Sequence, residues 1–235
     1  MPVPKRHRSP PCAGLKAAAR AALPGGLQPA GWVALLLATG CASPPAADGL
    51  DPQAHAMIQA SFRAQGIAGL DRLQQDAGQK ACSSDLPPST TQARAIEAQA
   101  AATIRWPADG QYLGDWREGE KLAQSGRGMT WTDAGTAPAA NGGSCYNCHQ
   151  IGPQELSFGT LGPSLLRYGR LRGVNNVADP ASAAIVQYTW GKLWNSKAYA
   201  ACSTMPRFGH AGLLDEAQIR HLMALLLDPK SPVNQ

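Results

Sequence analysis

Five consecutive residues, Cys145-Tyr146-Asn147-Cys148-His149, constrain this chain more than any other segment. They spell C-x-x-C-H, the attachment signature of a c-type haem. Two thiols three positions apart can each add across one vinyl group of a porphyrin, and the imidazole that follows is placed to ligate the iron from one side. A porphyrin also supplies core that side chains would otherwise fill, which suits a chain with only 6% aromatic residues. C-x-x-C has two other readings. Zinc would want a second ligand pair at similar spacing, and none follows. A thioredoxin-like dithiol belongs at a helix start in a βαβ context, whereas strand patterns are nearly absent here.

The amino terminus carries Lys5, Arg6, Arg8, Lys16 and Arg20 with no acid before Asp48, then an apolar run from Trp32 to Ala38 ending in Thr39-Gly40-Cys41. A basic segment, a short apolar run and small residues describe a secretory signal peptide, and the run is too short to span a bilayer as a mature helix. The leader also explains the basic balance. Five of the 21 Lys and Arg lie before residue 41, whereas all 16 Asp and Glu lie after it, leaving 16 of each sign in the remainder. The sequence pI of about 9.0 therefore carries no nucleic-acid signal. Leu37-Ala38-Thr39-Gly40-Cys41 fits two cleavage rules. It resembles a lipobox in which Cys41 is acylated and becomes the first mature residue, and the Pro44-Pro45-Ala46-Ala47 stretch that follows reads as a tether. An ordinary signal peptidase could use the same small residues.

Six cysteines need accounting in an oxidising compartment. Cys12 lies in the leader, Cys41 at its end, and Cys145 and Cys148 are assigned to haem. The remaining two, Cys82 and Cys202, are expected to pair, with two buried thiols as the other accounting. For the second axial ligand, four methionines follow the leader: Met57, Met129, Met205 and Met223. Met223 falls on an apolar helix face and reads as core. Met205, in Thr204-Met205-Pro206-Arg207-Phe208-Gly209, follows the haem motif and precedes the last helix, so the chain could wrap a porphyrin and return on its opposite face. The proline frees the thioether from helical constraint. His210 is its rival, with a plain surface histidine as the simpler reading.

The fold class expected is all-α, a class I cytochrome c-like haem domain with an N-terminal helical extension. Residues 1–40 form the signal peptide, of lipoprotein type if Cys41 is acylated; 41–52 the tether; 53–110 the extension; and 111–235 the cytochrome c domain. Within the extension, Gln53 to Asp76 has a helical pattern interrupted by Gly66 and Gly69, and Ala93 to Ile104 predicts a second helix. Leu113, Trp116 and Leu122 predict one face of a helix ending near Gly126. A long Gly/Thr/Ala/Pro-rich stretch leads from there to the haem motif. Asp215-Glu216-Ala217-Gln218 reads as a capping box opening a last helix, stopped by Asp228-Pro229 and expected to cross the first. Trp190, Trp194 and Tyr188 are expected to pack around haem or a subunit face. Arg167, Arg170 and Arg172 read either as a docking patch or as a solvated loop.

Three segments together resemble one family. Tyr146-Asn147-Cys148-His149-Gln150 is the first. The second is Phe158-Gly159-Thr160-Leu161-Gly162-Pro163-Ser164-Leu165, with Tyr168-Gly169 and Leu171-Arg172-Gly173. The third is Ala201-Cys202-Ser203-Thr204-Met205-Pro206-Arg207-Phe208-Gly209. In that order, over roughly Tyr112 to Asn234, they look like SoxX, the small c-type cytochrome subunit of the SoxAX complex of bacterial sulfur oxidation. The resemblance implies a periplasmic subunit of an L-cysteine S-thiosulfotransferase. It holds one covalent haem c anchored by Cys145 and Cys148 and ligated by His149 and Met205. It also implies partners: a SoxA-like subunit that joins thiosulfate oxidatively to a cysteine of a SoxYZ-like carrier, and a soluble cytochrome c that takes the electrons. No catalytic residue of the sulfur chemistry is expected on this chain. Residues 42–110 form an extension that shorter members lack, and a lipid anchor at Cys41 is not a general family trait. Two other functions share some of these residues: a free-standing electron carrier, and a gas- or peroxide-binding haem protein with an open distal face.

Overall fold

The computed structural model describes residues 50–235, so the leader, Cys12 and Cys41 lie outside the described residues. Seven α-helices follow in order: α1 Leu50–Ser61, α2 Ala77–Cys82, α3 Thr90–Ala101, α4 Trp116–Gln124, α5 Tyr168–Leu171, α6 Ala183–Trp194 and α7 Glu216–Leu227. Among the described residues there is no β-strand; the pairing Gln65 with Ala68 is an isolated bridge. The expected all-α class is what is found. The helical pattern of residues 53–76 is used only in part, since α1 ends at Ser61 and a single short 3-10 turn, Leu70–Leu73, follows the glycines.

Helix α7 organises the core. Asp215 opens it with the expected capping box: its Oδ1 accepts from the Gln218 N–H at 2.8 Å, while its own N–H donates to Gln218 Oε1 at 3.0 Å. Ile219, Leu222, Met223 and Leu225 to Leu227 are all buried, and each such side chain contributes about 1.5–3 kcal/mol on leaving water. The helix stops at Asp228-Pro229, and its last carbonyls are taken by side chains. Ser231 Oγ donates to Leu225 O at 2.6 Å, and Asn234 Nδ2 donates to Leu226 O at 3.1 Å.

The expected crossing of first and last helices is present between α4 and α7, and Gly119 is the residue that allows it. A Cβ at Gly119 would overlap the His221 carbonyl and lie 3.0 Å from Leu225 Cβ. The approach to α4 is tied to the same helix, because Gly114 N–H donates to Arg220 O at 2.9 Å and Asp115 N–H to His221 Nδ1 at 2.9 Å. Leu113 therefore lies just before the helix rather than on its face.

The extension packs on the remainder through the end of α3. Trp190 Nε1 donates to Arg105 O at 2.8 Å and Trp194 Nε1 to Thr103 O at 3.0 Å. These two tryptophans thus satisfy their indole N–H groups on the extension and do not line the cavity formed by the C-x-x-C-H turn, so of the two placements expected for them, around haem or on a subunit face, the first is not found. Helix α3 starts at Thr90, three residues earlier than its alanine pattern suggests, because Ser89 and Gln92 form a capping box. Ser83 to Pro88 is the connector before it.

Candidate functional site

The C-x-x-C-H segment is a single 3-10 turn, Cys145–Asn147, entered through Ser144 in the left-handed region at φ 50°. Cys148 N–H and His149 N–H both donate to Cys145 O, at 3.1 and 2.9 Å. Cys148 follows as the C-cap of this turn, three residues after Cys145. Both are free thiols. They line, with His149, one cavity of about 600 Å³. That is the size class of cofactor sites, and well-packed interiors keep few voids larger than a water molecule. Loss of water pushes the Cys145 thiol up to about 12, with further increments from the neighbouring Cys148 and Glu120.

The His149 ring is held in one tautomer. Its Nδ1 lies 2.7 Å from the Pro163 carbonyl, which can only accept, so Nδ1 donates here and, in the neutral ring, the lone pair lies on Nε2. A ligating histidine is oriented in this way when its second nitrogen is bonded to a carbonyl. Gly162 makes the approach possible: a Cβ there would overlap the imidazole itself. The same loop is laced to the turn by its backbone, with Gly159 N–H on Tyr146 O at 2.7 Å, Gly162 N–H on Cys148 O at 2.8 Å and Leu165 N–H on Gln150 O at 2.7 Å.

Of the four methionines among the described residues, Met205 lines this cavity. Met223 is fully buried in α7, as expected, and Met57 is 69% exposed on α1. His210 lines a separate, smaller cavity with Asp76, Lys197 and Arg207, so the rival ligand is on a different wall. The Met205 loop is pinned on both flanks by the extension. Cys82 and Cys202 form a disulfide with Cα atoms 5.4 Å apart. Ala201 N–H donates to Glu97 Oε1 at 3.1 Å, and Arg207 Nη1 lies 2.9 Å from Asp76 Oδ2. From the inner side, Ser196 Oγ donates to Met205 O at 2.6 Å.

Leu193, Phe208, Leu222, Leu225 and Leu226 make the cavity largely apolar, while Arg172 and Lys192 bring positive charge to it. Arg172 stacks 3.8 Å over the Tyr168 ring, whereas Arg167 and Arg170 do not line the cavity. Tyr188 does line it. Two thiols three residues apart, an imidazole anchored through Nδ1, and a thioether on a separate loop make a donor set that fits a covalently held haem. Among the described residues, no three His, Cys, Asp or Glu side chains gather as a metal cluster.

The proton-holding carbonyl of Pro163 and the Glu97 and Asp76 ties from the extension were not anticipated from sequence. Gly162-Pro163 stands within a quoted motif, so its presence was visible while its task was not. No protein-family model matches the chain. A protein of Aquifex aeolicus (strain VF5) described as an uncharacterized lipoprotein is 36% identical over 163 residues, which cover 68% of this chain and 73% of that protein. At that identity and coverage, the chain belongs to the same family as the uncharacterized lipoprotein of Aquifex aeolicus.

Proposed function

We propose that this chain is a monohaem c-type cytochrome of the SoxX kind, the electron-accepting subunit of a thiosulfate-oxidising L-cysteine S-thiosulfotransferase. The observation that carries the reading is the convergence of Cys145, Cys148, His149 and Met205 on one apolar cavity, with the His149 Nδ1 proton held by Pro163. A bound haem supplies one-electron exchange. Cys145 and Cys148 would hold the porphyrin covalently, each by addition of its S–H across one vinyl double bond, which needs no oxidant. His149 would hold the iron of such a group through Nε2. Met205 would hold it through its thioether, a softer donor that would favour reduced iron and raise the potential, as an electron acceptor needs. The apolar wall from α6 and α7 keeps water out, and the cations of Arg172 and Lys192 can balance acidic groups of the porphyrin.

On this reading the all-α fold is a class I cytochrome c-like domain with a strapped extension, and the sulfur chemistry resides on a SoxA-like partner. That partner couples thiosulfate to a carrier cysteine, and the electrons pass through this subunit to a soluble cytochrome c in the periplasm. Acylation of Cys41 would anchor the chain to a membrane surface, in keeping with the lipoprotein description of the Aquifex relative. No helix among the described residues is long and apolar enough to cross a membrane. The test is reduction by thiosulfate of the protein purified from its native host, with and without a co-purifying SoxA-like subunit and the carrier. Reduction that requires the partner supports the assignment. A haem protein that never co-purifies with a second cytochrome, or whose reduced form binds carbon monoxide readily, contradicts it. Palmitate labelling that is lost in Cys41→Ser tests the anchor.

A further inference from the structure

A second cavity, of about 260 Å³, lies at the seam between the extension and the rest of the chain, bounded by the start of α2, the end of α3, the turn Ser196–Ala198 and the Arg207 to His210 loop. Its polar groups are out of balance. Lys197 is only 8% exposed, and among the described residues its ammonium has neither a hydrogen bond nor an ion pair, although its backbone N–H is satisfied by Asn195 Oδ1 at 3.2 Å. A Cβ on Gly78 would stand 3.3 Å from Lys197 Nζ, which puts the ammonium at the cavity wall formed by α2.

Two acceptors on the walls, Asp76 and Thr103, already hold partners. Asp76 Oδ1 accepts from the Gln79 N–H at 2.7 Å, and Asp76 Oδ2 pairs with Arg207 Nη1 at 2.9 Å. Thr103 Oγ1 donates to Ala100 O at 2.7 Å and accepts from Asn195 Nδ2 at 2.9 Å. Among the charged groups of the walls, what remains unclaimed is donors: the three N–H of Lys197, and the Nε and Nη2 N–H of Arg207. Two cations thus face one carboxylate in a partly enclosed space, so the charged groups of the wall sum to a net positive charge. The group that would complete this wall is an acceptor-only anion with several oxygens.

We propose that this seam cavity is a binding site for a small oxyanion of sulfate or phosphate size, held by Lys197 with Arg207. The site is separate from the thiol, imidazole and thioether cavity, and the inference stands whether or not that cavity holds haem. Its position gives it a consequence, because the anion would bridge Lys197 in the C-terminal region to the Asp76–Arg207 pair that links the extension to the Met205 loop.

The test is isothermal titration calorimetry of the purified protein with sodium sulfate and, separately, sodium phosphate, in chloride buffer of matched ionic strength. The two arms separate the anions that share this chemistry. Saturable binding near one equivalent is expected for at least one of them. Lys197→Met should weaken it tenfold or more, and Lys197→Arg should retain it. Sulfate strengthens many folds by exclusion from the surface, so only the saturable heat counts. No saturable heat with either anion, or equal affinity in Lys197→Met, overturns the site. If Lys197→Met does not fold, Lys197→Gln is measured in its place with the same expected loss.

Discussion

Removing the Cys82 to Cys202 bridge should cost the fold more than any single contact it makes. The two residues are 120 apart in sequence, so the bond closes a long loop in the denatured chain. The chain-entropy relation for a loop of that length gives about 5 kcal/mol at 25 °C, and structure retained in the denatured state lowers the expected loss to about 2–4 kcal/mol. For a folded region of this size that is a fall in Tm of roughly 10 °C. The assay is equilibrium urea unfolding of Cys82→Ser/Cys202→Ser beside the parent without reductant, with the denaturant slope compared as well, because an uncrosslinked denatured chain exposes more surface. The local effect is separable from the global one. The Met205 loop would keep only the Glu97 and Asp76 ties to the extension, both partly in water, so spectra that report on Met205 should broaden before the protein unfolds. A loss below about 1 kcal/mol with an unchanged slope would refute the view that the bridge acts chiefly on the denatured chain.

Gly119→Ala should cost about 1–3 kcal/mol in thermal unfolding, since the added methyl meets the His221 backbone and forces α4 and α7 apart; a melt like the parent's would contradict the crossing. Gly162→Ala should tilt the His149 imidazole and shift the spectrum of the bound chromophore more than it shifts Tm, and the reverse pattern would argue that this glycine serves only the loop. For Asp76, burial pushes the pKa up, but the Gln79 N–H and the Arg207 guanidinium outweigh it, so the carboxyl sits below its ordinary 3.8. Its contribution is therefore present above about pH 4 and lost as pH falls through the lower folded value. Asp76→Asn, which keeps the helix cap, should be less stable than the parent at neutral pH and equal to it near pH 2. The difference is small because the carboxylate is 43% exposed.

The parts of this molecule that were readable in sequence are those written by local chemistry. C-x-x-C-H carries its own turn, and Asp215 with Gln218 opens α7 from within four residues. Met205 could be chosen over Met223 because the helical spacing of the latter already had a use. The Cys82 to Cys202 pairing followed from counting, and the structure supplies the distance that counting lacks. What was not readable depends on contacts far apart in the chain. Trp190 and Trp194 have the composition of a cofactor wall, yet their indole N–H groups go to carbonyls more than 80 residues away in the extension. Asp76 and Glu97 are ordinary exposed acids in sequence, and only the fold sets them against Arg207 and the Ala201 N–H. Lys197 gave no signal either, since a lysine flanked by serine and alanine reads as surface.

The central claim is that His149 and Met205 face one haem that is covalently fixed by Cys145 and Cys148. The most direct measurement is the optical spectrum of the protein after acid-acetone extraction and refolding, recorded for the parent and for Met205→Ala. The account predicts that the chromophore stays with the chain in both proteins. It also predicts that the weak charge-transfer band of thioether-ligated ferric iron appears in the parent and is absent in Met205→Ala. A chromophore that extracts from the parent, or a thioether band that persists in Met205→Ala, would contradict it.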